Sequence, residues 1–333
     1  MDRISVVIPA YNAEATIERA VRSAAEQTWQ ETEVIVVDDG SYDRTPQILK
    51  SLEEQIPQLT VIRQANGGVS SARNTGILAA TGRWLVTLDD DDYIDSNMLS
   101  RLHACTEEGC DLAICGIKLV YPDHTETYSC GEALTDTRKN FLEQKMLLFY
   151  DTHLLTTHAN KLYDMDILRK EGLRYDPELQ VNEDTDFVLR YLRHCGRIGC
   201  IPEAYLNYVQ HPAGGSLITT FRENGISSSV DLAETLEALL KETGAGRELT
   251  DGMHRRMLVH ILSHVGLMYY RSRMTDEEKL AAVRGLAKDP VFRDLLAATK
   301  PKDAKTAAAK FLLRTGQCRL YHDICKRLYR SKQ

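Results

Sequence analysis

The sequence predicts an α/β fold in which helices flank a mostly parallel sheet and the C-terminal region is α-helical. Across residues 1–116, short apolar runs alternate with segments whose apolar residues recur at helical spacing. The apolar runs are continuous, as in EVIVVD (33–38), and such runs are typical of parallel strands buried on both faces. From about residue 221 the pattern is helical and rich in Ala and Leu, which predicts the C-terminal region.

The elements follow in order along the chain. Five apolar runs predict strands at Ile4–Pro9, Glu33–Asp38, Leu59–Arg63, Arg83–Asp89 and Asp111–Gly116. The segments between them predict helices at Ala13–Glu26, Thr45–Glu54, Ser70–Ala80 and Ser96–Glu108. Residues 117–220 are less regular, with helices expected at 138–149 and 183–194 and a strand at Ala204–Gln210. Beyond residue 221, breaks are expected at 244–246, 274–275, 290 and 301. We therefore expect one domain over 1–220, with halves 1–116 and 117–220, and a helical region over 221–333.

The charge is distributed unevenly along a chain of otherwise ordinary globular composition. The net charge of the whole chain is −7, but residues 300–333 carry +8 and the preceding residues carry −15. An acidic body argues against a nucleic-acid partner, whereas the basic end leaves a lipid or phosphate contact open.

The cysteines and the apolar segments exclude several further classes. None of the eight cysteines forms a CxxC pair, so zinc-ribbon and zinc-finger sites are not expected. The opening MDRISVVIPAYN is typical of a short strand rather than a signal peptide, and no apolar stretch is long enough to span a membrane. We therefore expect a cytoplasmic protein with reduced thiols.

Asp89–Asp92 is the strongest local signal, because four consecutive aspartates follow a strand that should be buried. Carboxylates this close repel one another, and a hard cation such as Mg²⁺ or Mn²⁺ relieves the repulsion. On an extended segment Asp89 and Asp91 would point the same way. The alternative is a solvated acidic turn before the next helix.

Two other loops are expected at the same edge, where the carboxyl ends of parallel strands meet and ligands bind. Asp38–Ser41 ends one strand, and its carboxylates suit a base or a ribose. Asn66–Asn74 is a Gly-rich turn into a helix, whose N-terminus suits an anion. Taken singly, each is as easily explained as a helix-capping turn.

Five segments occur in an order and at a spacing that resembles the inverting nucleotide-sugar glycosyltransferases of family 2. They are VVIPAYN (6–12), VIVVDDGSYDRT (34–45), ANGGVSSARNTGI (65–77), GRWLVTLDDDDYID (82–95) and NEDTDF (182–187). The resemblance implies a GT-A (Rossmann-like) fold that binds a nucleoside diphosphate sugar, most often a UDP-sugar, in residues 1–116, with residues 117–220 on the acceptor side. It places the following residues at the nucleotide sugar: Pro9, Tyr11, Asp39, Asn66, Arg73, Asp89 and Asp90. It makes Asp91 the direct ligand of Mn²⁺ or Mg²⁺, with Asp89 beside it.

The same resemblance makes Asp184 the general base of an inverting transfer. A carboxylate within hydrogen-bond reach can take the proton of the acceptor hydroxyl as it attacks the anomeric carbon. Glu183 flanks the base, and Lys161, in an Asn-Lys-Leu-Tyr segment, is placed near the acceptor or is an ordinary surface charge. His211, in the turn VQHPAGGS, either completes the metal shell or is structural. Without the upstream motifs, 183–186 would be read as acidic residues on the first turn of a helix.

The basic end of the chain predicts an amphipathic helix over Phe311–Arg330, with Leu313, Leu320, Ile324 and Leu328 on one face. Such a helix suits peripheral attachment to the inner face of the cell membrane, near a lipid-linked acceptor. Packing on the protein itself or on a second copy in a homo-oligomer is the alternative.

These observations favour a metal-dependent inverting glycosyltransferase that extends a cell-surface glycan or lipid-linked acceptor. A sugar nucleotidyltransferase would require a Gly-rich basic loop after the first strand, where Pro9–Asn12 stands instead. A non-catalytic scaffold would not need Asp89, Asp91 and Asp184.

Overall fold

The computed structural model describes residues 2–179, 181–210 and 221–330, and for Arg330 the backbone alone. The chain divides into two compact units. The first comprises Met1–Glu178 with Glu183–Pro212, and the second comprises Leu179–Asn182 with Ala213–Gln333.

The first unit is built on a sheet to which ten strands of the described residues contribute. They are β1 (Ile4–Ala10), β2 (Thr32–Asp38), β3 (Leu59–Arg63), β4 (Trp84–Thr87), β5 (Tyr93–Ile94), β6 (Leu112–Val120), β7 (Thr125–Tyr128), β8 (Leu134–Thr137), β9 (Lys161–Asp164) and β10 (Arg197–Val209). The main order across the sheet is β3-β2-β1-β4-β9-β6-β10-β5, with β7 paired to β6 and β8 to β10.

Seven helices accompany these strands. They are α1 (Ile17–Ala25), α2 (Thr45–Gln55), α3 (Val69–Ala79), α4 (Met98–Glu107), α5 (Arg138–Asp151), α6 (Met165–Lys170) and α7 (Glu183–Leu192). The α/β fold class is therefore confirmed. Each helix predicted over 1–116 is present, although α1 begins four residues later than the pattern suggested.

The two halves of the sheet differ in strand direction. β3, β2, β1 and β4 are all parallel, as expected from their continuous apolar runs, and all seven residues of β1 are buried. β9 then runs antiparallel to both β4 and β6, and β5, β7 and β8 are also antiparallel to their neighbours. β6 and β10 form a further parallel pair, so antiparallel strands are added to a sheet whose two longest pairings are parallel. β7, β8 and β9 lie in the region 117–220, whose pattern was irregular.

Gly76 lets α3 pack closely on β1. A Cβ at this position would overlap with the Cγ1 of Val7, which is fully buried. Alanine normally favours a helix over glycine, but overpacking a core costs more than that gain. We expect Gly76→Ala to lower the free energy of unfolding by about 1–3 kcal/mol, measured from the urea denaturation midpoint. Gly285→Ala is the matched control, because a Cβ there meets nothing within 4 Å. A Gly76→Ala protein as stable as the wild type would show that the helix can shift away at no cost.

The second unit is helical, as predicted for the C-terminal region. Its helices are α8 (Gly225–Thr243), α9 (Arg247–Arg271), α10 (Asp276–Leu286), α11 (Pro290–Ala298), α12 (Ala304–Arg314) and α13 (Cys318–Arg330). The breaks predicted at 244–246, 274–275 and 301 fall between these helices, whereas Pro290 is the first residue of α11. Among the described residues, no helix is long and apolar enough to cross a membrane.

The single amphipathic helix predicted over Phe311–Arg330 is wrong. The chain forms two helices there, and Gly316 between them has a φ of 73°. This left-handed conformation is the usual end of a helix, and glycine adopts it without steric cost. Leu313, which was assigned to the apolar face, is buried in α12, whereas Leu320, Ile324 and Leu328 of α13 are exposed.

Candidate active site

The loops that follow β2 and β3 are tied together at the carboxyl ends of these strands. Asp39 directly follows β2 and is buried, and its carboxylate accepts hydrogen bonds from the backbone N–H groups of Gly67 and Gly68 at 2.9 and 2.8 Å. The side-chain amide of Asn66 donates to the Asp39 carbonyl at 3.0 Å. Asp39 and Asn66, both predicted at the nucleoside, therefore lie together. In this structure Asp39 shapes the Gly-rich turn itself.

Two exposed aromatic side chains lie beside this loop. Tyr11 follows β1, Tyr42 follows β2, and their rings meet edge to face with centroids 6.1 Å apart. Tyr11 is 46% exposed and Tyr42 is 83% exposed. An exposed aromatic face at the carboxyl edge of a parallel sheet can stack on a nucleobase. Tyr11 was predicted to lie at the nucleotide sugar, whereas Tyr42 was not, although it lies in the segment 34–45 that carries the family resemblance.

The four consecutive aspartates have different surroundings. Burial alone would raise the pKa of Asp89, but the charges of Arg73 and His158 outweigh it and hold that pKa below its usual range. Burial raises the pKa of Asp90 to about 7, although the carboxylate accepts a hydrogen bond from the Tyr11 N–H at 3.1 Å. Burial and the charges of Asp89 and Asp91 raise the pKa of Asp92 well above normal.

This acidic segment fits a cation. Asp92 is fully buried, and its Oδ2 has no hydrogen-bond partner among the described residues. Burial is the main cause of the raised pKa values of Asp90 and Asp92, and the charges of the neighbouring aspartates add to it. No group of three or more His, Cys, Asp or Glu side chains converges as a metal site within the part of the chain described here. A metal would therefore take one or two of these carboxylates and complete its shell from a diphosphate and water, as Mg²⁺ commonly does.

Arg73 connects the acidic segment to the start of α7. Its guanidinium donates to Asp89 at 2.7 Å through one nitrogen, and through the other to Asp184 at 2.7 Å and Glu183 at 3.2 Å. The side chain is only 3% exposed and lies over the ring of Tyr175. Burial alone would lower the pKa of Arg73, but the carboxylates, Asp184 foremost, raise it well above normal. The sequence placed Arg73 at the nucleotide sugar, whereas the structure places it between the two acidic motifs.

His158 completes this buried cluster. Its Nε2 lies 3.2 Å from Asp89, and its Nδ1 lies 2.7 Å from the Tyr175 hydroxyl and 3.0 Å from Thr87 in β4. The imidazole therefore fixes the direction of the Asp89 carboxylate. The sequence analysis assigned no role to His158 or Tyr175, because their importance depends on contacts between segments far apart in the chain.

Asp184 is the least enclosed member of the cluster. It lies on the first turn of α7, and its side chain is 29% exposed. Its contacts with Arg73 and with His158 both involve Oδ1. Burial and the neighbouring Asp184 charge raise the pKa of Glu183. Asp186, on the same turn, pairs instead with Arg190 at 2.7 Å.

Lys161 and His211 are the two remaining residues that the sequence placed at the site. Lys161 is fully buried, and its ammonium donates to the carbonyls of Leu154 and Thr157 and to the side chain of Asn160. Burial lowers its pKa to about 7. Lys161 is therefore not a surface charge, and its ammonium supports the segment that precedes β9. Its placement near the acceptor stays a prediction. His211 lies outside the described residues.

Comparisons with known proteins agree with this geometry. A model of the glycosyl transferase family 2 matches residues 5–172. The chain is 32% identical over 212 residues to the uncharacterized glycosyltransferase EpsJ of Bacillus subtilis, covering 63% of this chain and 61% of EpsJ. It is 29% identical over 260 residues to the succinoglycan biosynthesis protein ExoO of Rhizobium meliloti, covering 76% and 72%.

A solved structure confirms the architecture. Residues 1–349 of Staphylococcus aureus TarS, in complex with UDP, superpose with a TM-score of 0.66 at 22% identity, covering 99% of this chain and 92% of that one. At this identity the likeness establishes the fold alone. TarS was also solved with UDP-GlcNAc.

Proposed function

This chain belongs to the glycosyl transferase family 2, and we propose that it transfers a sugar from a nucleoside diphosphate sugar to a hydroxyl group with inversion. One observation carries the proposal: a single buried guanidinium, that of Arg73, binds both Asp89 and Asp184. The donor's diphosphate would bind beside the first acidic motif. The second motif then supplies a carboxylate within reach of the anomeric carbon.

The donor is a UDP-sugar in this proposal. Tyr11 and Tyr42 stack on the base, while the loop organised by Asp39 and Asn66 lies against the ribose. Support comes from the exposure of the two rings at the edge of the sheet and from the fold shared with TarS, whose structures hold UDP and UDP-GlcNAc. Pro9, within β1, shapes the same edge.

The acidic segment supplies the ligands for Mg²⁺ or Mn²⁺ in this proposal. Asp91 would be the direct ligand, with Asp89 nearer the metal or the ribose and Asp90 at the nucleotide sugar. A bound divalent cation neutralises charge that builds on a departing diphosphate. Arg73 keeps the Asp89 carboxylate ionised and fixes its orientation. The Asp89 side chain therefore does not have to move when the nucleotide sugar binds.

Asp184 acts as the general base. The acceptor oxygen attacks the anomeric carbon as the bond to the diphosphate breaks, and the electron pair of that bond leaves with the nucleoside diphosphate. The hydroxyl proton passes to the Asp184 carboxylate, whose Oδ1 is held by Arg73 while part of the group remains exposed. A single displacement inverts the anomeric centre.

The acceptor is a cell-envelope glycan or its lipid-linked precursor at the inner face of the membrane. This part of the proposal is supported by the relatives, since ExoO is a succinoglycan biosynthesis protein. It is also supported by the +8 charge of residues 300–333, which favours an anionic surface.

The reaction is tested with a panel of UDP-sugars and Mn²⁺, with and without glycan acceptors, by following UDP release. EDTA should remove the activity.

Asp91→Ala should weaken Mn²⁺-dependent donor binding by at least about tenfold, measured by calorimetry, because one metal ligand is lost. Glu107→Ala, an exposed acidic residue of α4, is the matched control and should bind like the wild type. No UDP release with any donor would refute the assignment of a UDP-sugar as donor, and full affinity in Asp91→Ala would refute the metal assignment.

A further inference from the structure

α13 has two faces of opposite character. One face packs within the helical unit, where Cys318, Tyr321, His322 and Cys325 are buried. On this face His322 hydrogen-bonds the Tyr269 hydroxyl of α9 at 2.7 Å, and Lys326 pairs with Asp276 of α10. These contacts fix α13 to its own unit.

The other face carries an exposed stripe of large aliphatic side chains. Leu320, Ile324 and Leu328 are 49%, 38% and 51% exposed. They are spaced four residues apart on one helix, so they form one continuous row. Single exposed apolar residues are common on soluble proteins, but an uninterrupted row of three marks an interaction surface.

The row is accompanied by positive charge. Arg319 and Arg327 are exposed and lie next to it in the helix. Further exposed cations occur on and around α12 at Lys302, Lys305 and Arg314. The acidic residues of this stretch are Asp303, which caps α12 through the Thr306 N–H, and Asp323, which lies 3.7 Å from Arg319. The exposed face of α13 therefore combines three apolar side chains with the two cations Arg319 and Arg327, within a stretch of the chain whose net charge is positive.

We propose that this face of α13 docks the protein on an anionic lipid bilayer. Leu320, Ile324 and Leu328 enter the boundary between the headgroups and the acyl chains, while Arg319 and Arg327 bind lipid phosphates. An anionic bilayer offers acyl chains to the apolar row and phosphates to the two arginines. A symmetric contact with a second copy would bury the apolar row but would bring the same cations face to face. The inference is independent of the catalytic proposal.

The full chain is tested by flotation with vesicles of phosphatidylcholine containing about 30% phosphatidylglycerol, and with phosphatidylcholine alone. The wild type should float with the anionic vesicles, and less so at high salt. Leu320→Ser/Ile324→Ser/Leu328→Ser should lower the bound fraction about tenfold, since burial of three large aliphatic side chains is lost. Arg319→Gln/Arg327→Gln should weaken binding to anionic vesicles only.

The matched control is Leu78→Ser/Val259→Ser, because these residues are 70% and 50% exposed but lie on other helices. It should float like the wild type. Point substitutions are preferred to a truncation at residue 299, which would remove the inner face of α13 and uncover buried residues of α9. A wild type that does not float, or a triple variant that floats equally well, overturns the proposal. So does a dimer, measured by light scattering, that the triple variant abolishes while flotation persists.

Discussion

Arg73→Met should abolish sugar transfer and lower the free energy of unfolding by about 3 kcal/mol. The substitution keeps an unbranched apolar stem but removes the guanidinium, so Asp89, Glu183 and Asp184 surround a position that no longer carries a positive charge. Losing one partner of a buried ion pair costs about 3–5 kcal/mol. The lower value applies because the Asp89 and Asp184 side chains are 24% and 29% exposed, so water offsets part of the loss.

The stability loss is measured by urea denaturation and the activity by UDP release. Arg44→Met is the matched control, since Arg44 and its partner Glu14 are 78% and 39% exposed and such a pair is worth less than about 1 kcal/mol. Arg73→Lys separates charge from geometry, because an ammonium restores the charge without the planar fork that spans both motifs. It should recover most of the stability and little of the activity. Wild-type stability in Arg73→Met would show that the three carboxylates are neutralised in another way.

The N-terminal half of the sheet was predictable from local pattern alone. β1 and β2 are continuous apolar runs because both faces of each strand are covered, and every residue of β1 is buried. The loops after β2 and its parallel neighbour β3 then had to meet at one edge, which brought Asp39 and Asn66 together. Here the sequence signal and the fold share one physical cause, which is burial on both faces of a parallel sheet.

The rest of the site depended on contacts that no local pattern records. β9 has only four residues, too few for a periodic pattern of apolar residues to be recognised. It nevertheless lies between β4 and β6 and pairs with both in the antiparallel direction. The pairing of Arg73 with Asp184 joins residues 111 positions apart. The contacts of His158 with Thr87, Asp89 and Tyr175 also join distant segments. The surface-charge alternative for Lys161 is wrong, because a buried lysine that donates to backbone carbonyls has the same sequence appearance as an exposed one.

The segment 183–186 shows how the structure separates similar residues. Its carboxylates all lie on the first turn of α7, where acidic residues are common without any catalytic role. Asp186 fits that ordinary explanation, because it pairs with Arg190 one turn later. Asp184 does not, because it pairs with Arg73 together with Asp89. Asp184 and Asp186 therefore differ in their arginine partner although they lie on the same helical turn, so substitutions at the two positions can be compared directly.

Asp184→Asn should reduce kcat by about a hundredfold to ten-thousandfold while leaving the dissociation constant of the donor nearly unchanged. The amide oxygen can still accept the hydrogen bond from Arg73, so the geometry of the cluster is retained. What the amide cannot do is accept the acceptor's proton. Donor binding is measured by calorimetry with UDP, and turnover by the formation of glycosylated product.

Asp186→Asn is the matched control. It also removes one carboxylate from the first turn of α7, but the Asp186 side chain pairs with Arg190 rather than with Arg73. If the helix-dipole charge of this turn were what mattered, both substitutions would reduce kcat to a similar extent. If Asp184 is the base, only Asp184→Asn loses turnover, and UDP still binds. Full turnover in Asp184→Asn would exclude the residue as the base, and Glu183, which shares the Arg73 guanidinium, would be the next carboxylate to test.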